Sequence, residues 1–341
     1  MAYRFKLNEP IAEAASRIGL EQIDSAEARL ASRDDDAAAV HDARRCLKRL
    51  RALLRLMRPA LPDSTYRREA IRLADIGRLL AGARDQHVMQ QTLVRLESRF
   101  GPLPNGAGSK LVKLMANGSG IAHGGTKERQ DAIAALEQAR TFFTHLARRP
   151  ISFEHIAAGI ERSYRRARRA FREAYEVPTG ENFHEWRKAV QQHWRHMQLV
   201  ARAWPDVLGG RATEAKELSR LLGDDHDFEV FLVFASTRGK PALSERDLET
   251  LRKTCRTVQE ELRTQAKPRG TRLFSDKPAS MCRKVESYWA AACRLAELAP
   301  TAEADDGKRR GKIVKKKPAP RRPVRQAASR GTRSEVRGSG R

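Results

Sequence analysis

The chain has 341 residues, with 67 Lys and Arg against 42 Asp and Glu and a net charge of +25 at pH 7. A hydrophobic content of 40% excludes wholesale disorder, and the length suits one large domain or two ordinary ones. The four cysteines (Cys46, Cys255, Cys282, Cys293) form no Cys-x-x-Cys pair, which excludes a disulfide framework and the usual cysteine-rich zinc sites.

Apolar residues recur at i, i+3, i+4 and i+7 in segment after segment, and no window alternates as a strand would, so the fold class is all-α. The periodicity predicts helices near 10–31, 38–58, 65–81, 85–100, 128–147, 154–175, 181–203, 211–222, 226–236, 243–265 and 278–297. Breaks fall at Pro59 and Pro62, at Gly101 to Gly106, in the Gly-rich stretch 117–125, and at Pro150, Pro178-Thr179-Gly180, Pro205 and Gly209-Gly210. Residues 101–126 are expected to form a long loop. There is no apolar run of about 18 residues, the length a membrane helix needs. Nor does Met1 to Lys6 hold an apolar signal core, so the expectation is a soluble, cytoplasmic protein with no membrane contact.

The charge is unevenly spread. From Thr301 onward stand fourteen Lys and Arg against four Asp and Glu, with almost no large apolar residue. Residues 301–341 are expected to be a disordered basic tail. The preceding 300 residues still carry a net +15, which points to a polyanionic partner for the folded part as well.

An internal duplication is visible. Val40-His41-Asp42-Ala43-Arg44-Arg45 and Phe183-His184-Glu185-Trp186-Arg187-Lys188 share the pattern apolar-His-acidic-x-Arg-basic. Leu79-Leu80-Ala81-Gly82-Ala83-Arg84-Asp85 and Leu221-Leu222-Gly223-Asp224-Asp225-His226-Asp227 follow in the same order at nearly the same interval. Two related helical halves result, about 1–147 and 150–300.

On a helical wheel Arg44, Arg45, Lys48, Arg51 and Arg55 fall within roughly 80° of His41. They form a basic stripe about 21 Å long, with Val40, Ala43, Leu47, Leu50, Leu53, Leu54 and Met57 opposite. Arg187, Lys188, Arg195 and Arg202 share the face of His184, with Gln191 and Gln198 between them, while Trp186, Val190, Met197 and Val200 face the core. Arg162, Arg165, Arg166 and Arg169 line one face of the preceding helix, and Arg68 and Arg72 form a further i, i+4 pair. Like charges at such spacings destabilise an isolated helix, so the stripes need carboxylates on neighbouring helices or an external anion. Four stripes, two of them opening on a histidine, favour a shared basic groove over ordinary solvated faces.

His41-x-x-Arg44-Arg45-x-x-Lys48-Arg49-Leu50-Arg51, the Leu-Leu-x-Gly-x-Arg-Asp turn at 79–85 and their second-half counterparts resemble the CHAD family, the conserved histidine α-helical domain. The resemblance covers about residues 1–300 and implies two four-helix-bundle-like halves related by a pseudo-twofold axis around a central basic groove. It also implies binding of inorganic polyphosphate, and with it association with polyphosphate granules. Carried over residue by residue, the matching positions are His41, Arg44, Arg45, Lys48 and Arg51, then His184, Arg187 and Lys188. The chain departs from the pattern at Gln191, where a lysine is common in the family, and at Trp194 and Arg195; Arg195 supplies a charge on the same face.

The chemistry of the residues agrees with a phosphate ligand. Arg forks and Lys ammoniums bind phosphate oxygens by charge-assisted hydrogen bonds, and His can donate a neutral N–H or become cationic beside an anion. Aromatics make up 6% of the chain and lie mostly on core faces, whereas single-stranded nucleic acids are usually stacked on exposed rings. Duplex DNA needs no stacking, so a nucleic-acid-associated protein, bound through the basic tail, stays as the alternative.

His184 and His226-Asp227 also resemble part of the metal set of HD-type phosphohydrolases, a third and weaker reading. The plainer one has Asp85 and Asp227 capping helices or orienting basic residues. His193-x-x-His196 offers two ligands without an evident third. There is no nucleophile elbow, no phosphate-binding Gly-x-x-x-x-Gly-Lys-Ser/Thr loop, and no Glu-x-Glu-x-Lys strand of the triphosphate-tunnel enzymes. The expectation is binding without catalysis and without a cofactor or metal.

Overall fold

The computed structural model describes residues 3–32, 36–80, 83–117, 125–239 and 242–298. The Gly-rich stretch after 117, the centre of the 79–85 turn and the tail from 301 lie outside the described residues, as do the side chains of Arg84 and Asp85. Among the described residues there is no β-strand, and the fold is all-α.

The N-terminal helices are α1 (Ile11–Ala31), α2 (Asp36–Leu56), α3 (Asp63–Leu79), α4 (Ala83–Phe100), α5 (Ala107–Asn117) and α6 (Thr126–Leu146). The C-terminal ones are α7 (Phe153–Glu176), α8 (Gly180–Val200), α9 (Gly210–Thr237), α10 (Glu245–Leu273) and α11 (Pro278–Leu298). Local chemistry sets several starts. The Ser152 and His155 side chains form a reciprocal capping box at α7, and Ser244 and Asp247 form another at α10. The Thr179 hydroxyl accepts the Asn182 amide at α8.

α1, α2, α3 and α6 pack together, and α7, α8, α9, α10 and α11 form a second set; α2 touches both α7 and α8. One apolar core runs through both sets, from Phe5, Ile18 and Leu50 to Tyr164, Trp186 and Val285. A second, smaller core joins Leu93, Leu96, Leu111 and Met115 of α4 and α5 to Phe228, Phe231, Leu248 and Leu251 of α9 and α10. Helices α4 and α5 therefore pack on the C-terminal set, although they precede α6 in the chain.

Several expectations are corrected. The supposed loop at 101–126 contains α5, whose Ala107, Leu111 and Met115 share one buried face; the Gly and Pro residues before it form a turn, with Gly101, Asn105 and Gly106 at positive φ. The two helices expected at 211–222 and 226–236 are one, α9, because Leu218, Leu221, Leu222 and Phe228 pack continuously across Gly223. Gly209-Gly210 is no break either, since a short π-helical turn at Pro205–Gly209 runs straight into α9. Asp227 thus lies inside a helix and caps none. Likewise α10 passes through Pro268 to Leu273, held by burial of Ala266, Gly270 and Leu273.

Two contacts fix α2 against its neighbours. A Cβ at Gly159 of α7 would collide with the Leu56 carbonyl oxygen, so the two backbones meet where no side chain intervenes. His196 of α8 is fully buried and donates from Nε2 to the Ala52 carbonyl of α2 (2.9 Å). Its Nδ1 then accepts the Ser163 hydroxyl of α7 (2.9 Å). One imidazole therefore ties three helices, and their outer faces carry the basic stripes.

Candidate functional site

Three adjoining hollows open over this junction. The first, about 350 Å³, lies between α2 and α8 and is lined by Arg44, Lys48, Arg51, Arg55, Arg166, Arg187, Lys188 and Arg195, with Gln191, Gln192, His226 and Asp227. The second, about 410 Å³, shares Arg55, Arg166 and Gln192 and adds Arg58, Arg162, Arg165, Arg169 and Tyr66. The third, about 280 Å³, shares Arg44, Lys48 and Arg51 and adds Arg78. Among the described residues, the walls together carry thirteen Lys and Arg and one carboxylate, Asp227.

Several of these cations are held in place from within the chain. Arg44 donates to the Leu80 carbonyl (2.6 Å), which fixes it against the end of α3. Glu185 receives Arg166 of α7 (3.0 Å) and Lys188 of its own helix. Burial alone would raise the Glu185 carboxyl, but the Lys188 and Arg166 bonds hold it below its ordinary range. Arg95 reaches across from α4 to Asp227 (3.5 Å) and Asp224 (2.8 Å). Arg165 pairs with Glu161, and Arg169 with Glu173 (3.5 Å). Among the described residues, Arg51, Arg55, Arg162 and Arg195 have no carboxylate within 4 Å. Burial, followed by the neighbouring Arg55, lowers the pKa of Arg51.

The histidines divide by environment. His184 stacks on His226, with ring centroids 4.1 Å apart and planes at 31°. Each has a buried Nδ1 without a hydrogen-bond partner among the described residues. Burial, then the cations Arg187 and Lys188, push His226 down to about 4, and burial with Lys188 and Arg187 also lowers His184. Both shifts favour the neutral rings. No three His, Cys, Asp or Glu side chains group closely enough to hold a metal ion among the described residues. His193, the other half of the His-x-x-His pair, is fully buried against Tyr164 and Phe274.

Of the residues singled out from the sequence, Arg44, Lys48, Arg51, Arg55, Arg162, Arg165, Arg166, Arg169, Arg187, Lys188 and Arg195 line the hollows. Six do not. His41 and Arg45 are exposed further along α2, Arg45 pairing with Asp42 (3.2 Å). Arg68 and Arg72 both bind the buried Glu69 and line a separate hollow against Gln138, Phe142 and Arg149. His184 sits behind His226. Arg202 lies in a 3₁₀ turn beyond the end of α8, where extrapolation of the helical wheel no longer holds. The wheel gave no hint of Arg58 and Arg78. Arg58 continues the stripe three residues after Arg55, but across a turn that Pro59 marks as a break; Arg78 comes from α3, and only tertiary packing brings it alongside.

Among the described residues no helix is long and apolar enough to cross a membrane. No curated protein matches the chain. A family model described as the CHAD domain matches residues 14–236, which include every residue that lines the three hollows. With well over half of its length matched, this chain belongs to the CHAD domain family.

Proposed function

We propose that the protein binds inorganic polyphosphate, with the three hollows acting as one groove and without chemical turnover of the ligand. The CHAD domain is associated with polyphosphate binding, and one observation carries the assignment to this place. Among the described residues, thirteen cationic side chains converge on adjoining hollows that hold one carboxylate, and that carboxylate is engaged by Arg95. Cations so crowded repel one another, and a linear polyanion relieves the repulsion while accepting their hydrogen bonds. Gln191 and Gln192 add uncharged donors in the middle of the run. The aromatic ring at the edge, Tyr66, has one face occupied by Arg58 at 4.7 Å, which competes with stacking of a base there. Binding without turnover is supported by the lining, which is cationic, amide or aliphatic apart from His226, Asp227, Ser163 and Tyr66. Association with polyphosphate granules would follow from the ligand.

The test is a titration of the full chain with long-chain polyphosphate and with charge-matched duplex DNA in rising salt. Counterion release weakens both as salt increases. Polyphosphate is expected to stay bound at salt that removes DNA, because a shaped groove adds directional bonds to the charge. If both ligands are lost in parallel, the basic surface is unselective and the groove assignment fails.

A further inference from the structure

Arg195 differs from the other cations of the groove. It stands one turn beyond Gln191 on α8, lines the first hollow, and is only 7% exposed. Its Nη1 donates to the Gln191 carbonyl (2.9 Å), and its guanidinium lies over the Trp194 ring at 4.7 Å. No carboxylate among the described residues reaches it. Its charged neighbours, Arg49 and Arg187, are cations too. The nearby Tyr3 phenol supplies no negative charge: it donates to the Arg49 carbonyl (2.9 Å), and burial pushes its pKa upward. Burial draws Arg195 itself down to about 10, which still leaves it charged at neutral pH.

Some exposed groove cations have carboxylates, such as Glu185 for Arg166 and Lys188, and others leave their charge to solvent, but Arg195 is buried and has neither. A buried charge without a counter-ion is a standing destabilisation of the folded state. A neutral side chain of similar shape would avoid it, unless something from outside supplies the missing charge.

We propose that a tetrahedral oxyanion seated against Arg195 completes the fold: orthophosphate, or one phosphoryl group of a longer chain, is a stabilising component at the groove floor. The ligand is then part of the structure as well as cargo, and α8 is less stable without it. This deepens the polyphosphate reading and rests on the hollows being an anion groove.

The test is thermal unfolding of the full chain in orthophosphate, tripolyphosphate and long-chain polyphosphate, each against chloride at matched ionic strength. Wild type is compared with Arg195→Met and with Arg256→Met, an exposed cation of α10 that lines none of the three hollows. The expected result is a rise in the wild-type Tm with tripolyphosphate. Arg195→Met should melt about 2–4 °C higher than wild type in chloride, lose most of that rise, and bind tripolyphosphate about tenfold or more weakly. Arg256→Met should keep the wild-type Tm in chloride and most of the rise. A rise with orthophosphate as well assigns the site to the free ion and the chain alike; a rise with chains alone assigns it to a chain phosphoryl. An Arg195→Met protein that melts lower than wild type in chloride and keeps the full rise overturns the inference, because packing on Trp194 would then account for the guanidinium. Should that variant fail to fold, hydrogen exchange of wild-type α8 amides decides: slower exchange in tripolyphosphate supports the site, and equal rates in chloride overturn it. Long-chain polyphosphate that binds wild type while no anion changes Tm or exchange removes this inference and leaves the polyphosphate reading standing. Orthophosphate that stabilises through Arg195 while long chains fail to bind does the reverse.

Discussion

Helices α2 and α8 open on the same His-acidic-x-Arg-basic pattern, yet they contribute to the groove in different ways. On α2 the cations Lys48, Arg51 and Arg55 are half-exposed, and His41 is exposed. On α8 the histidine is stacked under His226, Gln191 and Gln192 fill the middle positions, and Arg195 is sunk into the floor. One wall is denser, with four half-exposed cations; the other is sparser, with three, of which Arg195 is buried. Exposed cations act mainly through screened charge, whereas a buried one acts through short-range bonds in a low dielectric. The shared motif thus sits in different surroundings on the two helices.

The largest expected break in that comparison comes from the dense wall. Replacing Arg51 and Arg55 together by Ala removes two charge-assisted contacts of about 1.5 kcal/mol each, so polyphosphate affinity should fall about 100-fold. Titration at fixed salt, with circular dichroism to show that the helices persist, checks this.

Acid should act mainly on the sparser side. His196 and His226 are each held down at about 4, by burial first, and burial also lowers His184 and His193. In the unfolded chain these rings titrate near their ordinary value of about 6.5. Between about pH 6.5 and 4 the unfolded state therefore binds more protons than the folded one, and stability falls as pH drops through that window. The lowered carboxyls of Glu9 and Glu185 lose their contribution in the same direction, while the raised Asp225 opposes it. Denaturant melts at pH 7.5, 6 and 5 should show a steadily lower midpoint, and a flat profile would contradict the burial of these rings. Saturating polyphosphate should reduce the loss, since an anion beside His226 favours its protonated form.

The smallest effect sharpens the comparison. Gln191→Lys restores a charge to the sparse wall and should raise affinity a few-fold at low salt, with a steeper salt dependence by about one released counterion. Equal affinity at every salt concentration would show that the middle of α8 does not meet the ligand.

Much of this arrangement is legible in the sequence, because amphipathic periodicity reports which face of a helix is buried. Leu47, Leu50, Leu53 and Leu54 of α2 are buried, and so are Trp186, Val190 and Met197 of α8. What the pattern lacks is the identity of whatever lies opposite an exposed face. Arg68 and Arg72 have the same spacing as the groove cations, but they bind Glu69 on their own helix and face α6. Arg78 reaches the groove only through the packing of α3 beside α2. Glycine misled in both directions: Gly223 suggested a break where packing on either side carries α9 through, and the Gly and Pro residues near 101–106 concealed α5 behind them. The burial of Arg195 was illegible for a related reason. A wheel places it on the polar face, and the depth of that face depends on Tyr3 and Trp194 closing around it.

The contact of Gly159 with the Leu56 carbonyl has a consequence for how such a protein can change over generations. Because the crossing of α7 over the end of α2 is backbone against backbone, bonded geometry sets their separation, and no rotamer can alter it. Mutation can therefore exchange arginine, lysine or glutamine on either helix without moving the rails that carry them. Ligand preference is free to drift along the walls while the gauge between them is inherited unchanged.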